Sequence, residues 1–76
     1  MEGEERLMRI YAKQETFVKT RMLKGYSQRD LSRLAGLSHA YISLIERARK
    51  SVGPGTAKRL SQLLDKEPEE LFDYVQ

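Results

Sequence analysis

The apolar positions of this chain fall into short clusters separated by Gly, Ser and Pro, the punctuation of brief helices joined by tight turns. Leu7 to Lys13 carries two patterns at once. Ile10 and Ala12 against Arg9, Tyr11 and Lys13 alternate like a short strand, while Leu7, Ile10, Tyr11 and Gln14 also fit one face of a helix. We take the extended reading, followed by a helix over about Glu15–Lys24 with Phe17, Val18 and Met22 inward and Thr20 near the same stripe. Gly25 supplies the stop, because glycine enters the left-handed conformation that ends helices without a steric cost.

Ser27 then opens a second helix. Its hydroxyl can accept from the amide three residues on, and Asp30 can answer, an acidic variant of the capping box. Leu31, Leu34 and Ala35 supply a buried stripe at i, i+3 and i+4. Gly36 ends this helix, Leu37 follows, and Ser38 caps a third helix that holds Tyr41, Ile42, Leu44 and Ile45. Two short helices joined by a Gly-containing turn make a helix-turn-helix connection. A basic loop from about Arg47 to Gly53 leads to Pro54, which suits a first helical turn. The fourth helix runs to about Leu64 with Ala57, Leu60, Leu63 and Leu64 inward. Pro68 starts a fifth, with Glu69 and Glu70 at its positive end and Leu71, Phe72 and Val75 as its apolar side. The expected fold is all-α: five helices around one core in residues 9–76, with a short extended N-terminal segment, and residues 1–8 as a flexible tail.

Composition narrows the chemistry. Seventy-six residues, 33% charged and 39% hydrophobic, make one small domain, and a chain this short buries only about 60% of the surface its unfolded form exposes. The absence of cysteine excludes disulfides, thiolate zinc sites and cysteine nucleophiles. A single histidine leaves almost no material for a triad or a His-rich metal site, so no metal and no cofactor are expected. Neither a Gly-rich phosphate loop nor a nucleophile–base set is present, which argues against an enzyme and against a small-molecule site. No run of about 18 apolar residues exists to span a membrane. The opening MEGEER is acidic and polar, unlike a secretory signal, so a cytoplasmic location is expected.

The charge is unevenly spread. Residues 6–59 carry thirteen Lys/Arg against Glu15, Asp30 and Glu46, a local net of +10 within a chain of net +3. Residues 60–76 set Lys66 against Asp65, Glu67, Glu69, Glu70 and Asp73, a net of −4. A solvated surface would explain +3. A basic body of this density is the footprint of a polyanionic partner.

The stretch GYSQRDLSRLAGLSHAYISLIERARKSVGPGTAKRLSQLLDKEPEELF resembles the helix-turn-helix family of phage repressors, Cro and the xenobiotic-response-element (XRE) regulators. The matches are Ser27-Gln28, Leu31, Leu34, Gly36, Leu37-Ser38, Ile42, Ile45, Glu46, Pro54, Thr56-Ala57 and Pro68-Glu69-Glu70-Leu71-Phe72. With Arg21 they cover about residues 15–73. Ser32 stands where the family usually has Ala at a close approach, and is small enough. Ala48 stands where the family often has Gly. If that site needs a positive φ, Ala is strained there, and the alternative is that helix three continues by a residue or two.

The resemblance implies a recognition helix, about residues 38–47, that enters the major groove N-terminus first. Its base readers would be His39, Ala40, Tyr41 and Leu44. His39 can donate or accept, Ala40 and Leu44 can touch a thymine methyl, and Tyr41 can reach a base or a phosphate. Leu44 equally fits the core, and no second ligand is spaced to make His39 a metal site. Gln28 would bind phosphate and buttress the reader at position 39, against the plainer reading of a polar first-turn residue. Arg47, Arg49 and Lys50 would grip the backbone, where a solvated basic loop is the alternative. Ser27, Arg29, Ser38 and Ser43 are further phosphate candidates. Arg21 and Glu46 match the family's buried ion pair between helix one and the end of helix three, a structural role.

The implied function is a sequence-specific double-stranded DNA-binding transcriptional regulator, a repressor of phage or mobile-element type acting as a homodimer on DNA. The alternative is a protein-interaction module, such as an antitoxin or recruiting subunit, that reuses the fold. The basic loop beside the reading helix argues against interaction alone, because protein interface cores are depleted in charge.

Overall fold

The computed structural model describes residues 8–76, so the tail expected over residues 1–8 lies, apart from Met8, outside the described residues. Strand β1 (Arg9–Ala12) leads into helix α1 (Gln14–Leu23). Helices α2 (Gln28–Ala35) and α3 (His39–Glu46) follow, then α4 (Pro54–Leu63), α5 (Pro68–Leu71) and strand β2 (Phe72–Val75).

All four longer helices stop by the same device. At Gly25, Gly36, Ala48 and Asp65 the backbone turns left-handed, with φ of 81°, 71°, 55° and 58°. The next amide then reaches back five residues: Tyr26 to the carbonyl of Arg21, Leu37 to Ser32, Arg49 to Leu44 and Lys66 to Ser61, at 2.9–3.2 Å. This Schellman arrangement satisfies carbonyls that the helix end would otherwise leave bare. Glycine makes the turn without cost at two of these sites, and Asp65 is of a type that tolerates it. Ala48 is the exception. The loop takes the positive φ there, and α3 ends at Glu46 rather than running on.

The core joins every element. Phe17 of α1, Leu31 of α2, Ile42 and Ile45 of α3, Ala57 and Leu60 of α4, and Leu71 are completely buried. Phe17 meets Phe72 edge-on, with ring centroids 5.7 Å apart.

The expected all-α class is overturned. β1 and β2 form an antiparallel sheet with Ile10 opposite Tyr74 and Ala12 opposite Phe72. The amide of Lys13 extends the ladder to the carbonyl of Leu71 at 2.8 Å, and the amide of Val52 bonds the carbonyl of Ile10 on the other side at 2.9 Å. The fifth helix is therefore a single turn, and Phe72 and Val75, expected on its apolar side, are instead the ends of a strand. The tetrapeptide Phe-Asp-Tyr-Val is rich in strand-forming side chains. Its partner strand, about sixty residues earlier in sequence, supplies the ladder that a free helix end lacks.

Two inward stripes also differ. In α1 the buried positions are Phe17, Thr20 and Arg21, while Met22 is 63% exposed. Arg21 takes the inward place because an acid awaits it there. In α2, Leu31 and Ser32 are buried and Leu34 is 43% exposed. Ser32 can sit inside because its hydroxyl donates to the carbonyl of Arg29 at 2.7 Å.

Candidate nucleic-acid interface

Helices α2 and α3 both start on a serine. Ser27 Oγ accepts from the amide of Asp30 at 3.0 Å, and the amide of Ser27 donates to Asp30 Oδ2 at 2.9 Å, closing a capping box. The backbone bond from Ser27, then that from its hydroxyl, then Arg33 hold the Asp30 carboxyl below its usual range. Ser38 Oγ accepts from the amide of Tyr41 at 3.0 Å. The Ser38 hydroxyl, which accepts in this way, still has its own O–H to donate outward. Both serines are exposed.

From the inside of the domain to this surface runs one chain of hydrogen bonds. Arg21 Nε donates to Glu46 Oε2 in a buried ion pair. A second Arg21 nitrogen reaches Glu46 Oε1 at 3.3 Å, and the third donates to the carbonyl of Tyr26 at 2.7 Å. Gln28 Nε2 donates to Glu46 Oε1 at 2.8 Å. The other side-chain atom of Gln28, Oε1, lies 3.0 Å from His39 Nε2. α1, α2 and both ends of α3 are thus tied through four side chains. The resemblance offers Arg21 and Glu46 as a pair and sets Gln28 against position 39, but the sequence carries no local signal that Gln28 also joins the ion pair. The carbonyl of Tyr26 is a member that no side-chain pattern reveals.

The remaining candidates divide by exposure. His39, Ala40, Arg29, Arg47, Arg49 and Lys50 are exposed, Gln28, Ser43 and Leu44 are half-buried, and Arg21 and Glu46 are buried. Tyr41 is half-buried, its ring packs on the core, and its hydroxyl donates to the carbonyl of Ser51 at 3.3 Å. Arg47 Nε bends back to the carbonyl of Ser43 at 3.3 Å, which covers one of the last carbonyls of α3. The first residues of α3 therefore stand clear, and basic side chains fill the loop that follows the helix. No group of three or more metal-ligating side chains gathers among the described residues. No helix among them is long and apolar enough to cross a membrane.

A helix-turn-helix family model matches residues 19–71. The restriction-modification controller protein C.AhdI from Aeromonas hydrophila is similar in structure, with a TM-score of 0.68 and 34% identity over 74% of this chain and 85% of that one. A hypothetical transcription factor, NHTF from Neisseria, superposes at a TM-score of 0.66 with 28% identity, over 71% of this chain and 61% of that one. SinR, a master regulator for biofilm formation solved in complex with DNA, superposes at 0.64 with 30% identity, over 70% and 86%. No curated protein matches the sequence.

Proposed function

Since this chain belongs to the helix-turn-helix family of XRE type, we propose that it is a sequence-specific double-stranded DNA-binding transcriptional regulator. In this reading it is a cytoplasmic repressor of phage or mobile-element type, and not an enzyme. The observation that carries the reading is the exposed start of α3, His39 and Ala40, on a helix followed directly by a loop with exposed Arg47, Arg49 and Lys50.

α3 enters the major groove, which is wide enough for a helix and displays a distinct pattern for each base pair. His39 and Ala40 meet base edges first, and Leu44 follows one turn on. Tyr41, held to Ser51 by its hydroxyl, offers the edge of its ring rather than a free donor. Gln28, Ser27, Arg29, Ser38 and Ser43 bond phosphates on one flank, and Arg47, Arg49 and Lys50 on the other. Such contacts set register and affinity and carry no base information. One short helix reads too few base pairs for useful discrimination in a genome. Two chains on a two-fold site, with half-sites about 34 Å apart, supply the rest. Tyr74 and Val75, 44% and 50% exposed on β2, are the candidate surface for that pairing. The rival surface, Leu7–Tyr11, begins outside the described residues.

A second reading, the protein-interaction module, is favoured by one feature: Met22 and Leu23 of α1 stand 63% and 78% exposed. Selection of bound duplexes from a random pool separates the two. The DNA reading expects one enriched, two-fold-related motif, bound with an affinity that falls with salt at a log–log slope of about −0.9 per neutralised phosphate. No enrichment over the starting pool would leave the interaction module.

A further inference from the structure

We propose that His39 reads its base as a hydrogen-bond acceptor, through Nδ1, and so selects a base edge that carries an amino group: N6 of adenine or N4 of cytosine. This rests on the reading that α3 enters a major groove.

The basis is the direction of each bond in the network. A carboxylate only accepts, and a guanidinium only donates and keeps its proton. Glu46, clasped by Arg21, therefore requires a donor from Gln28, and the Gln28 amide nitrogen faces it at 2.8 Å. That choice fixes the other end of the amide. The carbonyl oxygen of Gln28 is turned to His39 Nε2 at 3.0 Å, and a carbonyl can only accept. Nε2 must then carry the hydrogen. A neutral imidazole has one N–H, so Nδ1 keeps its lone pair, and no side-chain hydrogen bond engages it among the described residues. The ring itself is exposed.

Each bond dictates the next, outward from a group that cannot change its protonation. An imidazole without this neighbour would exchange tautomers and offer either polarity. His39, so held, offers one. In the major groove adenine N6 and cytosine N4 donate, whereas guanine shows N7 and O6 and thymine shows O4, all acceptors. An acceptor at the first residue of α3 thus admits adenine or cytosine and sets its lone pair against that of guanine or thymine. Gln28 is a positioning residue here, setting which hydrogen His39 carries.

Two measurements test this. His39 is the single histidine of the chain, so its ring nitrogens can be observed by long-range ¹H–¹⁵N correlation in the whole protein at alkaline pH, where imidazole is neutral. The expected spectrum shows the Nε2–H form, and Gln28→Ala moves it towards a mixture of tautomers. The second measurement compares duplexes selected from a random pool by the wild type and by His39→Ala. At the position whose preference changes, the wild type should select adenine or cytosine. Removing the amino group (purine for adenine, 2-pyrimidinone for cytosine) should weaken binding about fivefold, the value of one net hydrogen bond of about 1 kcal/mol. Removing N7 with 7-deazaadenine, where adenine is selected, should leave affinity unchanged. An Nδ1–H spectrum, selection of guanine or thymine, or indifference to the amino group would each overturn the proposal while α3 still reads DNA. If neither protein enriches any duplex, the DNA reading falls and the proposal with it.

Discussion

Gln28 donates its side-chain amide to Glu46 at 2.8 Å while Arg21 clasps the same carboxylate, so a half-buried residue at the start of α2 and a buried ion pair share one acceptor. The side chain of Glu46 is 3% exposed and that of Arg21 11%. Glu46→Ala would strand a guanidinium in a place water hardly reaches, a loss of about 3–5 kcal/mol. Replacing both members, Arg21→Met with Glu46→Leu, should cost less than the single change, because no unpaired charge remains. Urea denaturation of the two variants decides it. A double variant less stable than Glu46→Ala would mean the pair contributes more than compensation of its own burial.

Ala48 holds a backbone angle that an L-residue adopts only at a cost, φ 55°. The left-handed conformation costs about 1–2 kcal/mol outside glycine, and glycine's greater freedom in the unfolded chain returns part of that. Ala48→Gly should therefore raise stability by about 0.5–1 kcal/mol. Thermal unfolding is the check. A lower Tm for Ala48→Gly would show that the loop sits in another conformation.

Two carboxylates predict the acid limb of stability. Asp30 is held below its usual range first by the backbone bond from Ser27, and Asp65 first by its hydrogen bond from Lys24. A depressed folded pKa stabilises above the unfolded value, about 3.9 for Asp, and the gain is lost as pH falls through the folded value. Tm should thus drop as pH goes below about 4, and Asp30→Asn should flatten that drop. Lys24 is raised by the same Asp65 contact, so its share is present below the unfolded lysine value and lost as pH rises through the folded one. Both Lys24 and Asp65 lie in water, so salt should reduce their share. An unchanged acid limb in Asp30→Asn would remove the capping box from the account.

The helix ends were legible in the sequence because their chemistry is local. Ser27 with Asp30, Gly36, and Ser38 each act within three or four residues of themselves. The second strand was not. Leu71, Phe72 and Val75 satisfy a helical spacing, and the ladder that makes Phe72–Val75 a strand lies at Arg9–Ala12, at the other end of the chain. Nor does periodicity foresee a buried arginine. Hydrophobicity places Met22 inward, whereas Arg21 occupies the interior because Glu46, 25 residues away, neutralises it. The resemblance carries the Arg21–Glu46 pair and the Gln28–His39 contact, but the bond from Gln28 to Glu46 that joins the two depends on how three helices cross.

Backbone contacts and base contacts should separate under mutation. Arg47→Ala and Arg49→Ala remove exposed charges. Each should weaken binding to every duplex alike and reduce the salt slope by about 0.9, one phosphate's worth. Fluorescence titration at several salt concentrations measures both quantities. A loss confined to the selected duplex would turn either arginine into a base reader.

Stoichiometry on the selected duplex tests the pairing of chains. Two chains should saturate one two-fold site, and Tyr74→Lys with Val75→Lys should separate them, since both side chains are exposed on β2. Analytical ultracentrifugation of the complex reads this directly. Two-chain binding unaffected by both changes would move the interface away from β2.

The central claim, that α3 reads DNA sequence, is tested most directly by the ratio of affinities for a selected duplex and for a scrambled one at fixed salt. For the wild type that ratio should be about 10³ or more. In His39→Ala it should fall, because a base contact is lost, while in Arg47→Ala it should hold as both affinities drop together. A wild-type ratio near one, or a ratio that His39→Ala leaves untouched, would contradict the account.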